Sequence, residues 1–362
     1  MKLKDLQKKV IAGLAAAVCG TAIVFTAVPV PTANAGWGAI IGAIASDAAE
    51  YNEATKQISY YDNDGRDEYF QHLKDKYGVN EDEYLNSRLA SIMGNLSSAI
   101  AQVDPSINDK PYNYFVNTDT TFNAFCSLGH NMSVNTGMFT LVDNDDEIAV
   151  VLGHEMGHGQ KEHVRKSYVK QLRVNILADI IAGGSGQAMG AVFANYASAT
   201  QVTKPQEWEA DNLAFDYITH SGYNPGACAA IWQRVIEKQG SNSQNFVGEI
   251  FSPSDHPTNE QRRENYEKKL KEYSGSKITV KDGKVQVNGK DFVTTAASDT
   301  MSGPERSYFV AGNLAVAYHN GTASADAYAQ DGTVMLGDQP IVTPVDGDES
   351  AETLAARLNS IK

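Results

Sequence analysis

Two histidines four residues apart, His154 and His158, flank Glu155 in a stretch whose apolar residues recur at helical spacing. Ile148, Val151, Leu152 and Met156 define the buried face. Asn144 supplies a cap three residues before Glu147, so the helix has a defined start. Residues at i and i+4 stand one above the other on a helix, so both imidazoles can reach a single ion. Glu155 lies about a third of a turn away, placed to take a proton from a water that the metal polarises. Imidazole and carboxylate ligands in tetrahedral array suit zinc. The set is incomplete with two histidines. A histidine ten residues after His154 would complete one pattern, but that position is Val164, and His163 is one residue off and is given no role.

A third ligand is offered further along, in Glu207-Trp208-Glu209-Ala210-Asp211. On a helix Glu207 and Asp211 share a face while Glu209 points elsewhere. Glu207 can then bind the metal while Asp211, one turn on, accepts the free N–H of a ligating histidine. Spacing alone leaves Glu209 open as the ligand. Ala210 is small enough to let this helix approach the first one closely.

Several motifs in order share the layout of a known family. Asn123-Ala124-Phe125, Gly137, His-Glu-Met-Gly-His, Glu-x-x-Ala-Asp at 207–211, His256-Pro257 and Arg262 span about 140 residues, well under half the chain. The sequence resembles the zinc metallopeptidases that include CAAX prenyl endopeptidases, HtpX-type proteases and BepA-like quality-control proteases. The resemblance implies one zinc per chain on His154, His158 and Glu207, with Asp211 behind a histidine and Glu155 as catalytic base. It also implies that Asn123, Ala124 and Phe125 border a cleft in which a peptide adds as an extra strand. By the same resemblance His256 lies near the metal, as an oxyanion donor or a plug, and Arg262 anchors that loop; a helix-start histidine and a solvated arginine are the plain alternatives. One departure stands out. Leu128-Gly129-His130 occupies the place of a glycine-rich turn, so that His130 alters access to the cleft or adds a metal contact.

The ends of the chain carry other signals. Lys2, Lys4, Lys8 and Lys9 precede an apolar run from Val10 to Val30 and then Ala33-Asn34-Ala35, the pattern of a cleaved signal peptide over residues 1–35. The chain carries a net charge of −14, and −17 once the leader's four Lys and Asp5 are removed, which argues against nucleic-acid binding. Cys126 and Cys228 are too few for a disulfide scaffold and leave two readings, a pair of buried free thiols or a single bridge. Helices are expected over 81–103, 205–222, 225–240 and 258–273, with short strands at 112–117, 121–127 and 131–135. The apolar stretch 176–198 reads as a hairpin over the cleft rather than a membrane span. From 276 onward an Asp-Gly hairpin recurs with an offset of 49 residues: Asp282-Gly283, Val285 and Val287 against Asp331-Gly332, Val334 and Leu336.

The fold class is therefore α+β. A mainly helical, gluzincin-type metallopeptidase domain (36–275) with a small sheet is followed by a small domain of two ββα repeats (276–362). The expected function is that of an exported zinc endopeptidase, periplasmic or extracellular, acting on protein or peptide substrates, misfolded or envelope proteins in particular. An envelope or cell-wall partner would dock through residues 276–362. The alternative function is a zinc-holding chaperone or assembly factor, against which an intact Glu155 argues. Prenyl-protease activity is disfavoured because the chain lacks the multiple spans needed to present a lipidated substrate.

Overall fold

The computed structural model describes residues 51–170, 172, 202–240 and 257–362. The leader 1–35, the stretch 176–198 and His256 lie outside the described residues. Among the described residues no helix is long and apolar enough to cross a membrane.

The described chain opens with two helices, α1 (residues 51–62) and α2 (Arg66–Tyr77). Helix α3 (Glu83–Val103) follows; the Asp82 carboxylate caps it by accepting the N–H groups of Tyr84 and Leu85. Its stripe of Leu89, Ile92, Leu96 and Ile100 is fully buried, and Pro105 ends the helix and opens a short 3-10 turn.

Strands β1 (Asn113–Asn117), β2 (Ala124–Ser127) and β3 (Asn131–Asn135) form a mixed sheet of order β1-β3-β2. β1 runs parallel to β3, and β2 pairs antiparallel with β3, so consecutive strands β1 and β2 are not neighbours and β2 lies at an edge. Side chains alternate between two layers. Val116, Ala124, Cys126, Met132 and Val134 join the main core, whereas Phe115 and Phe125 pack with Ile58, Tyr61, Tyr69 and Leu73 of the N-terminal helices.

After short helix α4 (Thr136–Leu141), α5 (Asp145–Gln160) carries the histidine pair. The Asn144 side chain accepts the Glu147 N–H at its start. Glu147 does not return the favour as a capping box would; its carboxylate is buried against Arg234. Helix α6 covers residues 163–170. Helix α7 (Lys204–Ser221) starts with a Thr203–Gln206 capping box and Pro205 in its first turn, and stops at Gly222 in the left-handed conformation, φ 83°. Helices α8 (Ala227–Gly240) and α9 (Asn259–Tyr273) complete this layer.

The C-terminal segment is a structural repeat, with one strand more per unit than the ββα reading. Strands β4 (Ile278–Lys281), β5 (Lys284–Val287) and β6 (Lys290–Thr294) form a meander followed by α10 (Gly303–His319). Strands β7 (Ala327–Gln330), β8 (Thr333–Leu336) and β9 (Gln339–Val342) do the same before α11 (Ala351–Ile361). The extra strand arises because a second tight turn follows the first: Asn288 and Gly289, at φ 52° and 77°, repeat the left-handed pair that Asp282 and Gly283 adopt at 50° and 73°. Helix α10 rests on β4 and β5 and reaches across to β9, while α11 rests on β7 and β8 and reaches to β6. Each helix thus covers apolar strand faces of both units. The two units do not form a separate core: Val285, Leu314 and Leu354 belong to the same buried cluster as Ile148, Leu152 and Trp232.

Candidate metal centre

Close approach of α5 and α7 builds the site. A Cβ on Gly157 would sit 3.3 Å from both the Cα and the carbonyl oxygen of Ala210. The motif's own glycine and the small Ala210 therefore let the two backbones nearly touch. That contact brings Glu207, in the first turn of α7, against both histidines of α5.

The three side chains converge. His154 Nε2 and His158 Nε2 are 3.0 Å apart, with their rings close to perpendicular at 84°. The Glu207 carboxylate meets each of them at 3.4 Å. One donor atom from each residue lies within 4.8 Å of the others, and all three side chains are buried.

Asp211 is fully buried and its Oδ1 lies 3.0 Å from His154 Nδ1. A carboxylate only accepts, so His154 Nδ1 carries a proton, which leaves Nε2 as the nitrogen that turns toward Glu207 and His158. Burial works to raise the Asp211 pKa, but the Arg262 guanidinium and His154 outweigh it and hold the carboxyl below its usual range. Arg262 donates to both Asp211 oxygens, with Nε at 2.8 Å from Oδ2, and stacks 3.7 Å over the Trp232 ring. Tyr266 adds an O–H at 3.1 Å. The reading of Arg262 as a solvated side chain is thus replaced by one 2 % exposed, gripping the acid behind the first histidine.

Charge also favours a cation here. Burial and Arg262 push the His154 pKa down, yet hydrogen bonds to Asp211 and Glu207 prevail and lift it to about 9. Two imidazole nitrogens and a carboxylate oxygen converge there, and once the histidines are neutral they match the donor set of zinc.

Glu155 is 8 % exposed, and its Oε2 accepts the Cys126 N–H of edge strand β2 at 3.1 Å. Burial pushes its carboxyl upward, with His154 and His158 pulling the other way. Beside it on the chain, the Asn123 Oδ1 is buried without a hydrogen-bond partner among the described residues. Ala124 and Phe125 turn their side chains into the two core layers.

His130 is not among the grouped metal donors. It adopts φ 55°, in the left-handed region, and stacks on Tyr112 at 4.5 Å while its Nδ1 donates to the Lys110 carbonyl. Tyr112 in turn donates to the Met156 carbonyl at 2.7 Å. His130 therefore buttresses the back of α5. Cys126 and Cys228 are both free and buried.

His163, given no role from the sequence, and Glu209, left open there as a ligand, lie beside the site and meet each other. His163, 2 % exposed, meets the Nδ1 of His158 at 2.8 Å through its own Nδ1, and its Nε2 meets Glu209 at 3.1 Å. Burial and the neighbouring His158 depress the His163 pKa to about 4. The signal that could have found the pair was a histidine one turn past the helix end, facing the odd carboxylate of the 207–211 cluster.

The chain is similar to several known metalloproteases. Metalloprotease LoiP of Escherichia coli is 26% identical over 185 residues, covering 49% of this chain and 69% of that protein. A beta-barrel assembly-enhancing protease of Yersinia pestis is 28% identical over 140 residues, 35% of this chain and 29% of its own length. Metalloprotease YcaL of Escherichia coli is 26% identical over 153 residues, 39% and 58% respectively. The chain thus spans less than a third of the barrel-assembly relative. The model of peptidase family M48 matches residues 85–269, just over half the chain. With its histidine pair, glutamate and buried supporting acid in place, the chain belongs to peptidase family M48 and is a metalloendopeptidase.

Proposed function

We propose that this protein is an exported endopeptidase that holds one zinc ion on His154, His158 and Glu207 and cleaves unfolded or envelope proteins. The observation that carries the metal reading is the convergence of His154 Nε2, His158 Nε2 and the Glu207 carboxylate. Once both imidazoles are neutral, three lone pairs this close repel one another unless a cation lies among them.

Zinc, when bound, supplies a Lewis acid for the scissile carbonyl and for a water molecule. Glu155 is the base that takes the water's proton and then returns it to the leaving amine. Its hydrogen bond from the Cys126 N–H orients the carboxylate toward the histidines and ties it to the edge strand. Along that edge a substrate backbone pairs with β2, and the side chains of Ala124 and Phe125, turned into the core, keep the strand rigid. Asp211 and Arg262 hold His154 in one tautomer, which fixes where Nε2 points.

Export is supported by the basic start, apolar run and Ala-Asn-Ala of the first 35 residues. An envelope substrate is supported by the relatives named for beta-barrel assembly, and residues 276–362 are the surface we assign to a partner there. The test is cleavage of unfolded casein by the leaderless protein before and after chelation. Activity lost to chelator and restored by zinc supports the reading; activity indifferent to chelation overturns it.

A further inference from the structure

The geometry points to a hydrogen-bonded relay, His158 to His163 to Glu209, that positions the second metal histidine. It rests on the reading of His154, His158 and Glu207 as the metal ligands. Each ligating imidazole must offer Nε2 as a lone pair and place its remaining proton on Nδ1, where an acceptor fixes the ring. For His154 that acceptor is Asp211. For His158 the atom facing Nδ1 is the Nδ1 of His163, at 2.8 Å.

The proton inventory then has a single solution. His158 Nδ1 donates, so His163 Nδ1 must accept. The His163 proton consequently resides on Nε2, which faces Glu209 Oε2 at 3.1 Å, an atom that can only accept. Both rings are buried, and the relay ends on a carboxylate whose side chain is 49 % exposed. The backbone is shaped for it. Lys161 and Glu162 donate their N–H groups back to Gly157 and Gly159, and Glu162 adopts φ 52°, so the chain reverses at the end of α5 and returns His163 beside His158. Arg165 holds the Glu162 carboxylate at 3.1 Å, securing that turn.

His163 is thus a positioning residue: it touches neither substrate nor metal and acts through His158. The two metal histidines are held by different chemistry. His154 leans on a sealed carboxylate, and His158 on a neutral ring that passes the contact outward to Glu209.

Ring nitrogen–proton correlation spectra of the zinc-loaded, 15N-labelled wild type read the tautomers without any substitution. The relay requires the proton on Nδ1 of His158 and on Nε2 of His163; a His163 protonated on Nδ1, or on both nitrogens, overturns it. Competition with a chromophoric chelator then reads zinc affinity. His163→Leu should weaken it by roughly 10–100-fold, and His163→Asn, whose amide oxygen can accept the His158 N–H, should recover most of that loss. A His163→Leu protein that binds zinc as tightly as wild type overturns the relay alone. A folded wild type that binds no zinc overturns the metal reading and the relay with it.

Discussion

Arg234 sits where α5, α8 and α10 meet. Its guanidinium lies 2.9 Å from Glu147 Oε2 at the start of the metal helix and 2.8 Å from Glu305 Oε1 in the first turn of α10. It also donates to the Thr300 carbonyl at 3.2 Å. All three side chains are at most 8 % exposed, so one buried cation serves two buried carboxylates. Burial pushes the Glu147 carboxyl up to about 7, even with Arg234 pulling it down, and it pushes Glu305 up as well. A carboxyl raised on folding binds its proton more tightly in the folded state, so stability falls as pH rises from the unfolded value of about 4.3 toward the folded one. One such group removes about 1.4 kcal/mol per pH unit across that window. Replacing Arg234 with Met leaves both carboxylates without a countercharge and raises both pKa values further. At pH 8 the loss should be about 3–5 kcal/mol, the cost of breaking a buried pair by removing one partner. At pH 5 the Glu147 carboxyl of the variant is protonated, and the deficit should shrink to below about 2 kcal/mol, roughly the lost hydrogen bonds. Urea unfolding of wild type and Arg234→Met at both pH values, with metal loading matched, reads the difference. A deficit under about 1 kcal/mol at pH 8, or one of equal size at pH 5, would refute the charge argument.

Three further outcomes are expected. Gly157→Val forces α5 away from Ala210 and so separates the histidines from Glu207; zinc affinity by chelator competition should drop along with about 1–3 kcal/mol of stability. Asp211→Asn removes the negative charge and one of the two acceptor oxygens that Arg262, Tyr266 and His154 share, and zinc affinity should fall roughly 10–100-fold; unchanged affinity would mean that the Asp211 charge does not hold His154 in place. Cys126 and Cys228, buried with their thiols pushed well up, should resist an aromatic disulfide reagent until the protein is unfolded, and a reducing agent should leave the unfolding midpoint unchanged.

The sequence was legible wherever local chemistry decides the structure. The cap at Asn144, the helix opened near Pro205 and the stop at Gly222 mark helix ends because side-chain hydrogen bonds, a fixed proline φ and left-handed backbone are residue-specific. Asp282-Gly283 and Asp331-Gly332 announce hairpins for the same reason. The third strand of each unit was harder to see, since its turn, at Asn288-Gly289 in the first unit and Gly337-Asp338 in the second, follows so soon after the first. The order β1-β3-β2 was not readable at all, because parallel pairing of β1 with β3 depends on where the intervening chain returns. In the site, spacing exposed His154, His158, Glu155 and the 207–211 acids. Arg262 was ambiguous because it lies in a run of charged residues, and only the Trp232 ring and Asp211, contributed by other helices, make it a buried group. His163 and Glu209 were hidden by a left-handed turn at Glu162, a conformation that a glutamate does not advertise.

We propose that hydrolysis is driven by Glu155 beside a metal on His154, His158 and Glu207. Zinc content and casein cleavage, measured together for the leaderless wild type and for Glu155→Gln, decide the matter. The expected result is about one zinc per chain in both proteins, cleavage by wild type, and a loss of at least about 100-fold in the variant, at the lower end of what a general base contributes. A folded wild type without zinc, or a Glu155→Gln protein that cleaves as fast as wild type, would contradict it.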